Sequence, residues 1–111
     1  MIKVLVFISK LPTISMADFI RYYEEKHVPL VNGLLPMYAG YTRNYRDTVL
    51  YGEIASLPCD VVTELLFRDE ADYQRWVECL QDPEIIARIR EDEANFLQSD
   101  KTIVWRVDDR N

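Results

Sequence analysis

The chain has 111 residues, of which 49% are apolar, and its 13 basic and 19 acidic residues give a formal net charge of −6. This length allows one domain with a substantial core and is too short for two, so we expect a single domain over residues 1–111. An acidic chain without a concentrated basic face is not expected to bind nucleic acid. No apolar run approaches the roughly 20 residues of a membrane span, so no membrane partner is expected either.

The N-terminal residues MIKVLVFISK combine lysine with an apolar run, as a secretory signal does. Such a signal needs small residues at its cleavage site, and Lys10, Leu11 and Pro12 do not supply them. We therefore expect a cytoplasmic protein. Cys59 and Cys79 match no zinc-binding spacing, and a single histidine cannot complete a structural metal site, so no metal is expected.

The first predicted element is a strand over Ile2 to Ser9, a short run of Val, Ile, Leu and Phe. Its near-continuous apolarity indicates a central position in the sheet, where both faces of a strand are covered. Ser15 then stands three residues before Asp18, which is the spacing of a helix N-cap and its partner. The first helix is therefore predicted to begin after Ser15.

This helix carries Phe19, Tyr23 and His27 at spacings i, i+4 and i+8, so all three side chains project from one face. That face must be buried against the rest of the domain. Pro29 lacks a backbone N–H and disfavours helical geometry in the residue before it. We therefore predict that the helix kinks or breaks at Pro29 and resumes loosely through Leu34.

The segment 37–46, MYAGYTRNYR, alternates aromatic residues with small and polar ones and is predicted to be a strand. The sequence does not determine which of its two faces lines a pocket. Alternate residues share a face: Met37, Ala39, Tyr41, Arg43 and Tyr45 on one, and Tyr38, Gly40, Thr42 and Asn44 on the other.

Residues 47–60 are predicted to form a long loop that either holds a short strand or acts as a flap. Val61 to Phe67 is a third strand by its β-branched and apolar content. Asp69 is positioned to cap a second helix, and Pro83 stands at the first position of another helical segment. Thr102 to Val107 is predicted to be the final strand.

The order of these elements, βαββαβ, predicts an α+β ferredoxin-like fold in which helices cover one face of an antiparallel four-stranded sheet. The other face is left uncovered. Leu5 and Phe7, together with Val104 or Trp105, lie on that face in any register and would form a large exposed apolar patch. We therefore expect a homodimer in which sheet packs against sheet.

Three segments resemble the EthD-like proteins of the dimeric α+β barrel superfamily. They are FIRYYEEKHVPLV at Phe19 to Val31, YTRNY at Tyr41 to Tyr45, and TELLF at Thr63 to Phe67. The resemblance implies a homodimer with a ligand pocket in each subunit between sheet and helices. The proteins that the chain resembles include small cofactor-independent enzymes that act on polyketide, aromatic or lactone substrates, and some monooxygenases. Other members of the superfamily bind haem.

His27 is the first candidate for proton transfer because an imidazole titrates near neutral pH, and it matches the histidine of the family. The alternative is a histidine that caps the C-terminus of a helix. Glu64 is the second candidate, since a carboxylate on an inward strand face needs a partner or a raised pKa. It would orient His27 or act as an acid–base group, unless it pairs with Arg43 or Arg106 or faces water.

Tyr41 is the third catalytic candidate, because a phenol can donate a hydrogen bond to a developing enolate. Arg43 could hold a carboxylate or a polarised carbonyl, and Tyr45 shares the face of both residues. Tyr23 shares the face of His27, and Trp105 could stack on an aromatic ligand. Ordinary aromatic packing is the alternative for each of these side chains.

The apolar stripe of the last helix passes through Asp92 and near Glu93. One of these two acids is therefore expected at the edge of the buried face. The ordinary explanation is a surface pair with Arg88 or Arg90, which lie within about one helical turn.

With these residues in place, the resemblance implies a cofactor-independent enzyme of the lyase, cyclase or isomerase type that acts on a polyketide-like or aromatic small molecule. His27 would move the proton while Tyr41 and Arg43 steady an enolate. The alternatives are a cofactor-free monooxygenase and a non-catalytic dimeric module that binds a hydrophobic small molecule. A haem protein with His27 as axial ligand is a further hypothesis, and no other cofactor is expected.

Overall fold

The computed structural model describes residues 1–110 and contains one antiparallel sheet with the strand order β2-β3-β1-β4. The strands are β1 Ile2–Ile8, β2 Gly40–Tyr45, β3 Val61–Phe67 and β4 Ile103–Arg106. The predicted ferredoxin-like fold and the central position of β1 are both confirmed. No helix in the described chain is long and apolar enough to cross a membrane.

The helical segments lie against one face of this sheet. They are α1 Met16–Tyr22, a π-helical turn Tyr23–His27, α2 Val28–Leu34, α3 Glu70–Cys79 and α4 Pro83–Glu93. Ser15, Asp69 and Asp82 are the N-caps of α1, α3 and α4, and each side chain accepts a hydrogen bond from a backbone N–H of the following turn. The predicted starts of all three helices are therefore confirmed.

The helix does not break at Pro29, because the chain remains helical from Met16 to Leu34, and its predicted continuation through Leu34 is confirmed. The change in hydrogen bonding comes earlier: the N–H of Val28 donates to the carbonyl of Tyr23, five residues back. This wide turn puts Pro29 in the first turn of α2, where a missing N–H costs least. His27 consequently lies inside a continuous helical segment and does not cap its C-terminus.

The strand register decides which side chains face the helices. Tyr41 pairs with Leu65, whose side chain is 4% exposed, while Thr42 pairs with Glu64 on the opposite face. Because successive side chains of a strand point to opposite faces, Tyr41, Arg43 and Tyr45 all lie on the helix side. The strand β2 is shorter than predicted, and Tyr38 precedes it in the connection from α2.

The core lies between the helix-side face of the sheet and the helices. Phe19, Tyr23 and Phe96 are at most 1% exposed and form one aromatic cluster beside β3. A second cluster joins Phe67 and Trp76 to the apolar residues of α2. The predicted buried face of the first helix is therefore present, and its histidine lies at the end of the aromatic cluster.

The other face of the sheet carries the apolar patch that the sequence predicts. Ile103 and Trp105 are 57% and 51% exposed, and the ring centroid of Trp105 lies 4.5 Å from that of Phe7. Val104 points to the helix side. The loop 47–60 contains a 3-10 turn at Ile54–Ser56 and no strand, and it borders a groove on the open face, away from His27.

Candidate functional site

The helices and the sheet line a partly open cavity of about 300 Å³, which is at the lower end of the range for small-molecule pockets. Its walls are mainly apolar side chains from β1, β3, α2 and α4. Nine polar side chains interrupt this apolar lining: Tyr23, His27, Tyr38, Tyr41, Thr63, Arg90, Glu93, Ser99 and Thr102.

His27 is held by Asp92, whose Oδ2 lies 2.7 Å from the imidazole Nδ1. An ionised carboxylate can only accept, so Nδ1 carries the proton and Nε2 carries the lone pair. Nε2 has no hydrogen-bond partner among residues 1–110. Every fully buried side-chain nitrogen or oxygen in that range does have a partner, so Nε2 is not fully buried. It therefore stays accessible on a ring that lines the cavity.

Burial lowers the pKa of His27 below its usual range, and the hydrogen bond and charge of Asp92 oppose this effect without cancelling it. Only 6% of the residue is exposed. The imidazole is therefore neutral at pH 7, which is the form that accepts a proton. The rings of Tyr23 and Phe96, with centroids 5.1 Å and 5.0 Å from that of His27, fix its position.

Asp92 is itself oriented by the first helix. The hydroxyl of Tyr22 donates to Asp92 Oδ1 at 2.8 Å, and the amide of Asn95 donates to the Tyr22 hydroxyl at 3.0 Å. Asp92 borders a shallow surface groove and not the cavity. The carboxylate thus lies behind the imidazole, as the orienting acid of a proton-transfer pair does.

The π-helical turn Tyr23–His27 contributes to this placement. It brings Tyr23 and His27 to one side of the helix, and both side chains line the cavity. Turns of this kind occur often at functional sites. The predicted common face of Tyr23 and His27 is therefore present.

Phenol and hydroxyl groups form the wall next to His27. Tyr41 donates to the Tyr23 hydroxyl at 3.4 Å, and the Tyr23 and Thr63 hydroxyls lie 2.8 Å apart. On the adjacent wall, Trp76 Nε1 donates to the Tyr38 hydroxyl at 2.9 Å. Burial raises the pKa of Tyr23, Tyr38 and Tyr41, so all three phenols are protonated at pH 7.

The structure does not bring Arg43 or Tyr45 into the cavity. Arg43 makes two hydrogen bonds to Glu24, at 2.9 Å and 2.6 Å, and Tyr45 donates to the same carboxylate at 2.6 Å. The Arg43 guanidinium lowers the pKa of Glu24. Both predicted ligand-binding residues therefore belong to a surface cluster that joins β2 to the π-helical turn.

Glu64 and Trp105 also lie outside the cavity, because both side chains are on the open face of the sheet. Glu64 is opposite Leu5 and cannot orient His27 from there. Its predicted partners point to the other side, where Arg43 pairs with Glu24 and Arg106 pairs with Glu70. The prediction failed because one strand position separates Glu64 from the cavity-lining Thr63.

Glu93 is the cavity carboxylate that the sequence analysis did not assign. It lines the cavity together with His27, and the Ser99 hydroxyl lies 3.3 Å from its Oε1. Burial raises the pKa of Glu93 above its usual range. The sequence indicated one acid at the edge of the buried face of α4, and the structure places both there: Asp92 contacts His27 and Glu93 lines the cavity.

No group of three or more His, Cys, Asp or Glu side chains that could hold a metal ion occurs within residues 1–110. The cavity itself presents imidazole, phenol, hydroxyl, carboxyl and guanidinium groups. Such a set can accept a proton, donate hydrogen bonds to an oxygen and return a proton.

Several proteins of known structure share the fold. An EthD-family protein from Bacillus halodurans matches with a TM-score of 0.67 and 16% identity, over 99% of this chain and 100% of that chain. A dimeric ferredoxin-like protein of unknown function from Bacteroides fragilis gives 0.58 and 9%, over 96% and 93%. A variant of SnoaB, a cofactor-independent oxygenase from Streptomyces nogalater, gives 0.58 and 11%, over 99% and 93%.

A comparison with curated proteins gives no significant match. The EthD domain, in contrast, matches residues 11–100, which include α1, the π-helical turn that carries His27, and α4 that carries Asp92. The match spans well over half of the chain and agrees with the resemblance in the segments around His27, Tyr41 and Glu64. The chain therefore belongs to the EthD family.

Proposed function

We propose that the protein is a cofactor-independent enzyme in which His27 acts as a general base on an enolisable polyketide-like or aromatic small molecule. One observation carries this proposal. The Nδ1 atom of His27 is engaged by Asp92 at 2.7 Å, while Nε2 is left without a protein partner in the described chain beside an apolar cavity.

The first step follows from this arrangement. Nε2 takes a proton from a carbon next to a carbonyl group, and the C–H electron pair moves onto the carbonyl oxygen to give an enolate. Asp92 keeps the proton on Nδ1 and stabilises the imidazolium that forms. Tyr41 donates to the Tyr23 hydroxyl and holds it on the wall next to His27, where either Tyr23 or its partner Thr63 can donate to the enolate oxygen.

Glu93 is the group best suited to the second proton transfer, in the role that the sequence analysis gave to Glu64. Its raised pKa keeps part of the carboxyl population protonated at a pH where a surface glutamate would be ionised. It can then protonate a leaving hydroxyl or a carbon. Dehydration, cyclisation and isomerisation use this pair of steps, whereas decarboxylation would form the enolate by loss of CO2 and use only the second.

A cofactor-free oxygenase is the second candidate function. SnoaB, one of the proteins with this fold, is a cofactor-independent oxygenase. The first step would be the same, since removal of a proton from a phenol or an enolisable ketone also prepares a substrate for reaction with oxygen. A module that only binds a hydrophobic molecule is the remaining alternative.

We also propose that the protein is a homodimer whose open sheet faces pack on each other. The Bacteroides fragilis protein of this fold is dimeric. The exposed apolar side chains of Ile103 and Trp105, together with the half-buried Leu5 and Phe7, support the same arrangement in this chain. The cavity of each subunit would remain on the outer side of its sheet.

The test is hydrogen–deuterium exchange at the acidic carbon of a panel of aromatic ketones in D2O, followed by NMR. The wild-type protein should accelerate exchange of at least one ketone over buffer, and His27→Gln should lose on the order of 100-fold or more of that acceleration. Lys26→Gln, an exposed neighbour, is the control. Equal rates for wild-type protein and buffer, or full activity in His27→Gln, would contradict the proposal.

A further inference from the structure

Tyr38 is oriented by a donor that fixes where its own proton can go. Trp76 is 8% exposed and its Nε1–H donates to the Tyr38 oxygen at 2.9 Å. An indole N–H can only donate, so it takes an acceptor position on the phenol oxygen. The hydroxyl of Tyr38 donates to no protein acceptor within residues 1–110, and the residue lines the cavity. Its proton is thus available to a ligand.

The neighbouring hydroxyls hold a second available proton. Tyr41 donates to Tyr23, and one hydrogen bond joins Tyr23 to Thr63. Three hydroxyl protons therefore serve two hydrogen bonds, and the third proton belongs to Tyr23 or to Thr63, depending on the direction of the bond between them. All three residues line the same cavity as Tyr38.

Tyr41 lies next to both donors: its ring adjoins that of Tyr38, and its hydroxyl lies 3.4 Å from the Tyr23 hydroxyl. The rings of Tyr38 and Tyr41 have centroids 5.4 Å apart, and those of Tyr23 and His27 are 5.1 Å apart. A ligand that accepts hydrogen bonds from both free hydroxyl protons must present two acceptor oxygens. It must also place an acidic C–H at Nε2 of His27. A 1,3-dicarbonyl compound has this pattern, with its most acidic proton on the carbon between the two oxygens.

Resting on the proposed function, we propose that Tyr38, oriented by Trp76, is the donor that holds one carbonyl oxygen of a 1,3-dicarbonyl substrate. The Tyr23 and Thr63 pair holds the other oxygen. The proton between the carbonyls passes to Nε2 of His27, and the electron pair of the broken C–H bond is delocalised over the two oxygens. No oxidant or reductant takes part in this step.

The test uses 1-phenyl-1,3-butanedione, whose enol and enolate have distinct ultraviolet absorption. Wild-type protein should bind it saturably and lower the pKa of the bound diketone. Tyr38→Phe should weaken binding about tenfold or more and reduce the pKa change, because a hydrogen bond to a charged oxygen is lost. Trp76→Phe leaves the phenol in place and should give a smaller loss that also shows in the pKa change.

Tyr51→Phe is the matched control, since Tyr51 is 98% exposed in the loop outside the cavity. Circular dichroism checks that each variant is folded. Unchanged affinity and pKa change in a folded Tyr38→Phe would overturn the assignment of Tyr38. Absence of saturable binding to wild-type protein would overturn the 1,3-dicarbonyl ligand class.

The outcome is separable from that of the ketone exchange experiment. Exchange that depends on His27, combined with no effect of Tyr38→Phe, leaves the proposed function standing and removes this inference. Loss of diketone binding in Tyr38→Phe, combined with exchange that is independent of His27, leaves Tyr38 as a ligand contact and removes the proposed function.

Discussion

His27 Nδ1 lies 2.7 Å from Asp92 Oδ2, although 65 positions separate the two residues in the sequence. The helical segment that carries His27 lies beside α4, which carries Asp92. This contact determines the tautomer of the histidine and therefore which nitrogen is available in the cavity.

Asp92→Asn should abolish most of the catalysed exchange while leaving the fold intact. The asparagine amide can donate to Nδ1, which would then carry the lone pair and leave the proton on Nε2. We expect a loss of about 100-fold or more in the exchange rate. Because the chain has one histidine, ¹⁵N NMR of the imidazole reports its tautomer without ambiguity.

Tyr22→Phe is the control for this change, because it removes one hydrogen bond to Asp92 and keeps the carboxylate. A loss of less than about tenfold is expected from it. Wild-type rates and an unchanged tautomer in Asp92→Asn would show that the acid does not orient His27.

The pKa of His27 should give both activity and stability a defined pH dependence. The unfolded chain binds a proton near pH 6.5, about the ordinary value for histidine, while the folded protein binds it only at lower pH. The free energy of unfolding should therefore be fully retained above about pH 6.5 and should fall as the pH decreases toward the pKa of the folded state. The exchange rate should fall only as the pH passes through the pKa of the folded state, because the base is protonated there.

Urea unfolding at several pH values and an NMR titration of the imidazole measure these effects. His27→Gln should flatten the change in unfolding free energy between about pH 6.5 and the acidic end of the transition. An imidazole pKa in the folded protein at or above the unfolded value would contradict this account.

Most of the fold could be predicted from local patterns. β3 Val61–Phe67 has the predicted bounds, and Ser15 and Asp69 cap the helices as predicted. The break predicted at Pro29 rested on the local preference of proline against a helix. The π-helical turn that precedes Pro29 accommodates it, and the sequence pattern does not show this turn. Tyr23 and His27 in that turn are buried against residues distant in the sequence, such as Thr63 and Asp92, which a local pattern does not contain.

The candidate site could be predicted only in part. The spacing of Tyr23 and His27 was sufficient to put both on one buried face, and Tyr41 was correctly identified as a possible neighbour. Strand alternation puts Thr63 and Glu64 on opposite faces of the sheet. Which of the two faces the helices cover depends on the register with β2, and this pairing joins residues that are distant in the sequence. For the same reason the partner of His27 was sought at Glu64 and is found at Asp92.

Glu24→Gln should destabilise the protein modestly and leave the exchange rate unchanged. The carboxylate accepts from Arg43 and Tyr45 at the surface, outside the cavity. Because the side chains are partly exposed, at 21% for Arg43 and 37% for Glu24, we expect a loss of about 1 kcal/mol or less in unfolding free energy. Urea unfolding and ketone exchange on the same variant check both parts, and a large loss of exchange would place this cluster in the site.

Trp105→Ser should weaken the proposed dimer. Trp105 is half exposed on the open face and stacks near Phe7, so its removal takes a large apolar surface out of the contact. Analytical ultracentrifugation should show a higher proportion of monomer than for wild-type protein. Lys26→Ser, on the helix side, should leave the association unchanged, and equal association of all three proteins would exclude the open face as the interface.

Glu93→Gln should separate the second proton transfer from the first. Ketone exchange needs only the base, so its rate should change little, whereas a dehydration should slow by on the order of 100-fold if the carboxyl group supplies the proton. Burial raises the pKa of Glu93, so the dehydration rate of wild-type protein should fall as the pH increases through that pKa, and this decrease should be absent in Glu93→Gln. Glu91→Gln, an exposed acid on the same helix, is the matched control. Parallel losses of exchange and dehydration in Glu93→Gln would mean that Glu93 supports the cavity structurally, because a proton donor to the leaving group would affect dehydration alone.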